Sequence, residues 1–225
     1  MPLPSVIRAC ATVVAGPERP PRPAWLSPAQ ARRLDPLASL VVAAVDGLPR
    51  AGLAEETAVV VGSAWGSVHS TVNFADGMAT WGDGGGSPAA FTTSVHHHSA
   101  SSLCEILGLH GPVATISCGG TSGLAALRWA KLMLDQGRAP AVLVVAADLP
   151  SRWSRRIVES MSACPFAVGG GATALLLTSG GTGRTMRIAP QRSPAGHGIC
   201  VDAGGSTPAE ERLLLRRGGA RRTRA

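Results

Sequence analysis

Cysteine is the residue type in this chain best suited to covalent chemistry, and Cys118 has the surroundings that could activate a thiol. It follows a short β-branched segment and precedes the run Gly-Gly-Thr-Ser-Gly at 119–123, within which the helical pattern of 122–137 begins. A thiol at a helix N-terminus has a lowered pKa, because the helix dipole and the free backbone amides favour the thiolate. A free cysteine is more often a small, buried and unreactive side chain. We expect Cys118 to be buried, and a reactive thiol stays open as the alternative.

Three consecutive histidines, His96, His97 and His98, form the second group that could do chemistry. Imidazole nitrogens are frequent metal ligands, and a metal site needs several ligands that converge on one point. Consecutive residues on a helix project about 100° apart, so these three side chains cannot converge on one ion. The sequence therefore predicts a helix start with one buried and two exposed imidazoles, and no metal site.

Other motifs with chemical meaning do not fit the sequence. Ser122 stands in Gly-Thr-Ser-Gly, where the first glycine is one residue too near for the G-x-S-x-G turn of a serine hydrolase. The glycine-rich segment 82–86 has no Walker lysine, and no G-x-G-x-x-G follows a strand pattern convincingly. The five cysteines include no C-x-x-C pair, which argues against a zinc knuckle and a disulfide framework. We expect no cofactor and reduced, mostly buried thiols in a cytosolic protein.

The formal net charge of +7 on 225 residues describes the ends of the chain more than its middle. Residues 206–225 carry six arginines against two glutamates, whereas residues 25–205 carry 12 basic and 11 acidic side chains. Charged termini are usually solvated, so we expect 205–225 to be a disordered basic tail. Such a tail could bind an acidic protein or a nucleic acid, and the neutral middle argues against nucleic acid. No run of 18 apolar residues is present, so we expect no membrane span.

Strand-like and helix-like segments alternate along the first 180 residues, which predicts one α/β domain. Short β-branched or apolar runs predict five strands, at 6–15, 57–62, 112–117, 141–147 and 171–178. Amphipathic patterns predict helices from a Ser27-Pro28 start to residue 45, and over 68–79, 94–108 and 122–137. Beyond Gly180 the pattern fades, so 181–204 is assigned as an extension of the domain at 1–180.

Three segments, taken in order, resemble the N-terminal half of the β-ketoacyl synthases. Arg32–Gly66 resembles the helix and strand before the active site, Ala90–Pro150 the nucleophile region, and Cys164–Ser179 the closing strand. The resemblance covers 32–179 and is closest to the β-ketoacyl synthase-like N-terminal domains that often lack the catalytic cysteine. It implies half of a thiolase-like fold: a five-stranded mixed sheet with helices on both faces. Only 46 residues follow Ser179, too few for a second half.

The resemblance also implies where a nucleophile would stand. If the Thr-Ser-Gly at 121–123 is set on the family's Thr/Ser-Ser-Gly, the nucleophile position falls on Gly120. The interval from Gly120 to Gly137 is then 17 residues, which fits the family's spacing, whereas Cys118 would make it 19. We favour Gly120 at the nucleophile position and keep Cys118 as the candidate catalytic residue. By the same resemblance His96, Thr121 and Ser122 are candidates for substrate binding.

The resemblance implies a supporting role in fatty acid or polyketide assembly. We expect a non-catalytic or impaired partner subunit of the chain-length type, and whether the chain is an enzyme at all is left open. The expected partners are a ketosynthase subunit and an acyl carrier protein, with a homo- or heterodimer formed through 112–137. The alternatives are an active acyltransferase using Cys118 and a nucleic-acid-associated protein using the arginine tail.

Overall fold

The computed structural model describes residues 4–15, 22–50, 53–160, 169–193 and 196–204, and the side chains of these ranges as far as residue 186. The strands are β1 Ser5–Val14, β2 Ala58–Gly62, β3 Val113–Ile116, β4 Ala141–Asp148, β5 Gly171–Ser179, β6 Arg184–Ser193 and β7 Gly196–Gly204. The helices are α1 Pro28–Arg33, α2 Pro36–Asp46, α3 Val68–Trp81, α4 Pro88–Ser94, α5 His98–Leu107, α6 Ser122–Asp135 and α7 Arg152–Ser160.

All seven strands belong to one mixed sheet in the order β3-β2-β4-β5-β1-β6-β7. The strand β2 pairs in parallel with β3 and β4, whereas β5 pairs antiparallel with β4 and β1. The five predicted strands are confirmed, and the mixed sheet agrees with the expected fold. The number five is too small, because the segment beyond Gly180 forms a β-hairpin. That hairpin joins β1 through only two paired positions, Val6 with Thr185 and Ile7 with Arg184.

Helices cover both faces of the sheet, as expected. On one face, α2 and α5 pack against side chains of β2, β4 and β5, among them Val59, Leu143 and Ala174. On the other face, α6 packs against the alternate residues, among them Val60 and Val142. All five residues of β2 are buried, which explains why the sequence shows a continuous apolar run there rather than alternation.

Three helix boundaries differ from the predictions. The predicted helix from Ser27 to residue 45 is two helices, because Asp35 caps α2 by accepting the Ala38 N–H at 2.7 Å. The helix predicted over 94–108 is present as α5 and begins four residues later, at His98, because residues 95–97 connect it to α4. The helix α7 was not predicted. Only three of its nine residues, Trp153, Ile157 and Val158, are apolar.

Candidate functional site

The carboxyl ends of three neighbouring parallel strands meet at one edge of the sheet. The strand β3 leads into the turn 117–121, β2 leads into the loop 63–67, and β4 ends at Asp148. Helix α6 begins at the end of the first of these connections. In open α/β sheets this is the edge at which ligands bind. The candidate site is therefore the turn after β3 with the loop after β2 beside it.

Backbone hydrogen bonds close the turn after β3. The Cys118 carbonyl accepts the Thr121 N–H at 3.3 Å and the Thr121 hydroxyl at 2.8 Å. The Ser122 N–H donates to the Gly119 carbonyl at 3.0 Å. Gly119 has a φ of +58°, a left-handed conformation that favours glycine. The turn is thus a defined structure at the start of α6, in the place where the resemblance puts a nucleophile.

The buried side chain of Ser122 stabilises this turn. Its hydroxyl accepts the Cys118 N–H at 2.9 Å and donates to the Gly119 carbonyl at 2.6 Å, and the residue is only 2% exposed. The hydroxyl hydrogen is therefore used within the turn. Thr121, by contrast, is exposed at the surface of the turn. Of these two candidate substrate-binding residues, only Thr121 faces solvent.

Cys118 is exposed, so the prediction that it is buried is wrong. The sequence pattern missed this because β3 is the edge strand of the sheet, and the chain leaves the sheet immediately after it. Cys10 is exposed as well, and of the three cysteines in the described side chains only Cys104 is buried. Burial raises the pKa of the Cys104 thiol to about 11, which leaves it unreactive.

Gly120 leaves open space where a side chain would stand. A Cβ built on Gly120 has no atom within 4 Å, and the residue is exposed. At the favoured nucleophile position the turn therefore presents backbone and no side chain. The Gly120 site could accommodate a larger residue without a clash, whereas a side chain at Gly119 would be strained by the positive φ.

The start of α6 packs directly against the sheet. A Cβ at Gly62, the last residue of β2, would lie 2.6 Å from the Ser122 carbonyl oxygen, and one at Gly123 would lie 2.7 Å from the Ala146 Cβ. Real Cβ atoms do not approach other atoms this closely, so both positions require glycine for the observed packing. These two contacts fix the position of the turn relative to β2 and β4.

Asp148 organises the loop after β2, and the sequence analysis did not identify it. One of its carboxylate oxygens accepts the Ser63 hydroxyl at 2.8 Å and the backbone N–H groups of Ala64 and Trp65 at 2.8 and 3.1 Å. The Ser63 hydroxyl oxygen in turn accepts the Gly66 N–H at 2.8 Å. Burial raises the pKa of Asp148, and the three hydrogen bonds offset part of that rise. An acidic residue at the end of an apolar strand was the only available signal.

The three histidines divide between two places. His96 is exposed, and its Nδ1 would lie 2.1 Å from a Cβ on Gly66, so its ring covers the loop after β2 at the candidate edge. His97 is exposed, and His98 is half-buried with a buried Nε2. His98 lines a separate open cleft of about 630 Å³, together with Asp35. Within the described residues no group of three His, Cys, Asp or Glu side chains could hold a metal ion.

The surface next to the candidate site is a strand edge with apolar side chains, which no other described strand pairs with. The strand β3 ends the sheet, and Val113 on it is 46% exposed. Trp129 and Leu132 on α6, which packs beside β3, are 41% and 42% exposed. All three lie within the predicted contact segment 112–137.

The arginine tail lies outside the described residues, and no described helix has the length and apolarity to cross a membrane.

Known proteins agree with this architecture. A putative polyketide β-ketoacyl synthase from Streptomyces halstedii is 45% identical over 51 residues, which are 23% of this chain and 12% of that protein. A ketosynthase in complex with its chain length factor from Xenorhabdus doucetiae matches with a TM-score of 0.64 and 20% identity, over 85% of each chain. A type II polyketide synthase acyl-carrier protein in complex with its ketosynthase matches with a TM-score of 0.64 and 16% identity, over 79% of this chain and 62% of that one.

The family comparison extends over nearly the whole sequence. The profile of the β-ketoacyl synthase N-terminal domain matches residues 8–209, a range that contains every described strand except the first residues of β1. The two solved structures share too little sequence for more than the fold, and they have that fold in common with this chain. The chain therefore belongs to the β-ketoacyl synthase family as a member of its N-terminal domain.

Proposed function

We propose that this chain is a cytosolic partner subunit of the chain-length type, which supports a catalytically competent ketosynthase in polyketide or fatty acid assembly. A solved relative is a ketosynthase in complex with its chain length factor, and a second is a ketosynthase with its acyl-carrier protein. The curated relative that matches a short stretch is a putative polyketide β-ketoacyl synthase. In both of these solved structures the ketosynthase is in complex with a second protein, which supports the proposed pairing.

The observation that carries the proposal is the turn at Gly120. Acyl transfer by a cysteine needs a thiolate at the helix start, where the dipole and amides stabilise its charge. At this position the chain has no side chain at all, and space for one is open. A subunit with this turn would keep the shape of the site and leave acyl attachment to its partner.

The contact surface we propose is 112–137. Among the described strands none pairs with the outer side of the edge strand β3, which leaves one row of its backbone N–H and C=O groups available, and such edges bind other chains. The exposed Val113, Trp129 and Leu132 add apolar area next to that edge. We propose that β3 pairs with an edge strand of the ketosynthase, while His96 and Thr121 line the acyl cavity beside the turn.

Co-expression with a type II ketosynthase tests the pairing. We expect a heterodimer on size-exclusion chromatography with light scattering, and loss of that heterodimer in Val113→Lys/Trp129→Glu. The matched control is Val14→Lys, because Val14 is 81% exposed at the end of β1 and outside the proposed surface. A chain that stays monomeric with every ketosynthase and carrier protein offered would contradict the proposal.

Catalysis through Cys118 remains a second candidate, since the exposed thiol is accessible to an acyl donor. Incubation with acyl thioesters followed by intact-mass spectrometry separates the two candidates. We expect no acyl adduct on the native chain and an adduct on Gly120→Cys, whose new thiol stands at the favoured nucleophile position. An adduct on the native chain that disappears in Cys118→Ala would show that Cys118 is the nucleophile and that our placement of Gly120 is wrong.

A further inference from the structure

An open cleft of about 630 Å³ lies among the helices α1 to α5, apart from the candidate site. The end of α1, the segment 34–36 that leads into α2, and residues of α3, α4 and α5 form its walls. Among the described residues that line it, none belongs to the turn after β3 or to the loop after β2. Its volume is in the range of small-molecule sites. The cleft is therefore a second place at which this chain could bind a ligand.

The buried part of the cleft contains one carboxylate and one imidazole. The Asp35 carboxylate accepts the Ala38 N–H at 2.7 Å and the Ser70 hydroxyl at 3.3 Å, so each of its oxygens has a partner within the fold. His98, which is half-buried, lies near enough to interact electrostatically with that carboxylate. Its Nε2 is buried and has no hydrogen-bond partner among the described residues. A buried polar atom without a partner costs free energy that a suitable ligand group can recover.

The exposed part of the cleft has a positive excess. Arg33 of α1 pairs with Glu105 of α5 at 3.8 Å, and both side chains are exposed. Arg32 is also exposed, and among the described residues it has no carboxylate within ion-pair distance. A guanidinium group binds carboxylates and phosphates through paired, charge-assisted hydrogen bonds. Arg32 is therefore suited to hold the anionic group of a ligand at the entrance of the cleft.

The walls of the cleft present mostly hydroxyl and amide groups. The side chains of Asn73 and Ser102 line it, and neither has a hydrogen-bond partner among the described residues. The described lining residues include no phenylalanine or tryptophan on which a nucleobase could stack, and apolar side chains are in the minority. An acyl chain in this cleft would cover polar groups without bonding them. A ligand that carries several hydroxyl groups and one negative charge matches the walls and the entrance together.

We propose that this cleft binds a small polyhydroxylated anion, a sugar acid or a sugar phosphate, with its charged group at Arg32 and a hydroxyl at the His98 imidazole. A hydroxyl both donates and accepts, so it fits Nε2 in either tautomer of the ring. Because Nε2 is buried in the free protein, the ring has to rotate toward the cleft to form this bond. Asn73 and Ser102 would bond further hydroxyls. The proposal does not depend on the function proposed above, since the two sites share no residue.

The test is isothermal titration calorimetry of the full chain with four probes: gluconate, glucose 6-phosphate, glucose and inorganic phosphate. We expect gluconate or glucose 6-phosphate to bind at least about tenfold more tightly than both glucose, which has no charge, and phosphate, which has no polyol. The tighter of the two anions shows whether a carboxylate or a phosphate is preferred.

Three variants test the residues of the site. Arg32→Ala and His98→Leu should each raise the dissociation constant of that anion about tenfold. The matched control is Arg128→Ala, which removes an exposed arginine of α6 outside the cleft and should change affinity less than about twofold. Because Nε2 has no hydrogen bond within the fold, His98→Leu should unfold at nearly the native temperature, which separates a binding role from a structural one. Ser102→Ala removes one hydroxyl and should weaken binding about threefold.

The proposal is overturned if neither anion binds saturably at about 10 mM, or if glucose or inorganic phosphate binds as tightly as the anionic polyols. It is equally overturned if Arg32→Ala and His98→Leu keep the native affinity, or if Arg128→Ala loses as much affinity as they do. Should His98→Leu fail to fold, Arg32→Ala and Ser102→Ala decide the matter, and native affinity in both would overturn the site.

Discussion

The turn after β3 and the loop after β2 end neighbouring parallel strands at the same edge of the sheet, yet different groups stabilise them. The loop is anchored by a carboxylate from another strand, since Asp148 accepts three hydrogen bonds from residues 63–65. The turn is held by groups of its own, chiefly the Ser122 hydroxyl and the carbonyls of residues 118 and 119. The loop is therefore coupled to the core, and the turn is nearly self-contained.

This difference bears on what each region can tolerate. A buried anchor makes the loop costly to alter, because a change leaves several polar groups without partners. The turn exposes Gly119 and Gly120, and open space surrounds both. A side chain at Gly120 could therefore be present or absent with little effect on the fold, whereas a change at Asp148 would remove the anchor of the loop.

The largest effect should follow from removing the anchor of the loop. Asp148→Ala leaves the Ser63 hydroxyl and two backbone N–H groups without their acceptor, and we expect a loss of about 3 kcal/mol in the free energy of unfolding. Denaturant titration followed by circular dichroism measures this. Asp83→Ala, at an exposed position on the surface, is the control and should change stability by less than about 0.5 kcal/mol. Equal stability of both variants would contradict the conclusion that Asp148 anchors the loop after β2.

A second contrast uses the same substitution at two glycines. Gly62→Ala places a Cβ 2.6 Å from the Ser122 carbonyl oxygen, so α6 has to shift, and we expect a cost of about 2 kcal/mol. Gly120→Ala meets no atom within 4 Å and should be close to neutral. Thermal unfolding of the two variants, measured in parallel, gives the difference. A destabilised Gly120→Ala would mean that the turn is more tightly packed than the structure shows.

The self-contained turn should respond less strongly to loss of its own hydroxyl. Ser122→Ala leaves the Cys118 N–H without its acceptor and removes the donor to the Gly119 carbonyl. We expect a cost of about 1–2 kcal/mol, smaller than that of Asp148→Ala. Ser101→Ala is the matched control, because that hydroxyl also donates to backbone carbonyls but lies exposed on α5. Denaturant titration checks the order of the three variants.

The sequence predicted the strands of this fold better than its connections. The predicted positions of the first five strands are confirmed, and the burial of β2 and of most of β4 follows from their continuous apolar runs. The hairpin β6–β7 was missed because it lacks the continuous apolar run of the other strands, and because Pro190 and several glycines interrupt its pattern. The exposure of Cys118 was missed because a β-branched pattern does not reveal which strand ends the sheet.

The anchor of the loop illustrates a different limit. Asp148 lies 85, 84 and 83 residues along the chain from Ser63, Ala64 and Trp65, the residues that it contacts. Only the parallel pairing of β2 with β4 brings them together. A motif search finds residues that are close in sequence, and so it identified the turn at 118–123 but could not identify the loop's partner. The close contacts of Gly62 and Gly123 could not be predicted from the sequence either, because they depend on how α6 packs against the sheet.

The smallest expected effect, and the one most specific to the comparison, is a pH dependence. Burial raises the folded-state pKa of Asp148 above its ordinary value of 3.8. The folded protein therefore binds this proton more tightly than the unfolded chain does, so the contribution to stability is full below 3.8 and falls as pH rises through the raised pKa. At pH values above the raised pKa, the contribution of Asp148 to stability no longer changes with pH.

Asp148→Asn tests this sign, because the amide removes the titration and keeps the shape of the side chain. The difference in free energy of unfolding between the native chain and Asp148→Asn should change in favour of the variant as pH rises from acid toward neutral. Asp35, whose pKa burial also raises, is present in both proteins and cancels in the difference. A difference that moves in the opposite direction would mean that the three hydrogen bonds to the carboxylate outweigh its burial, and that the loop is held by a fully charged anchor.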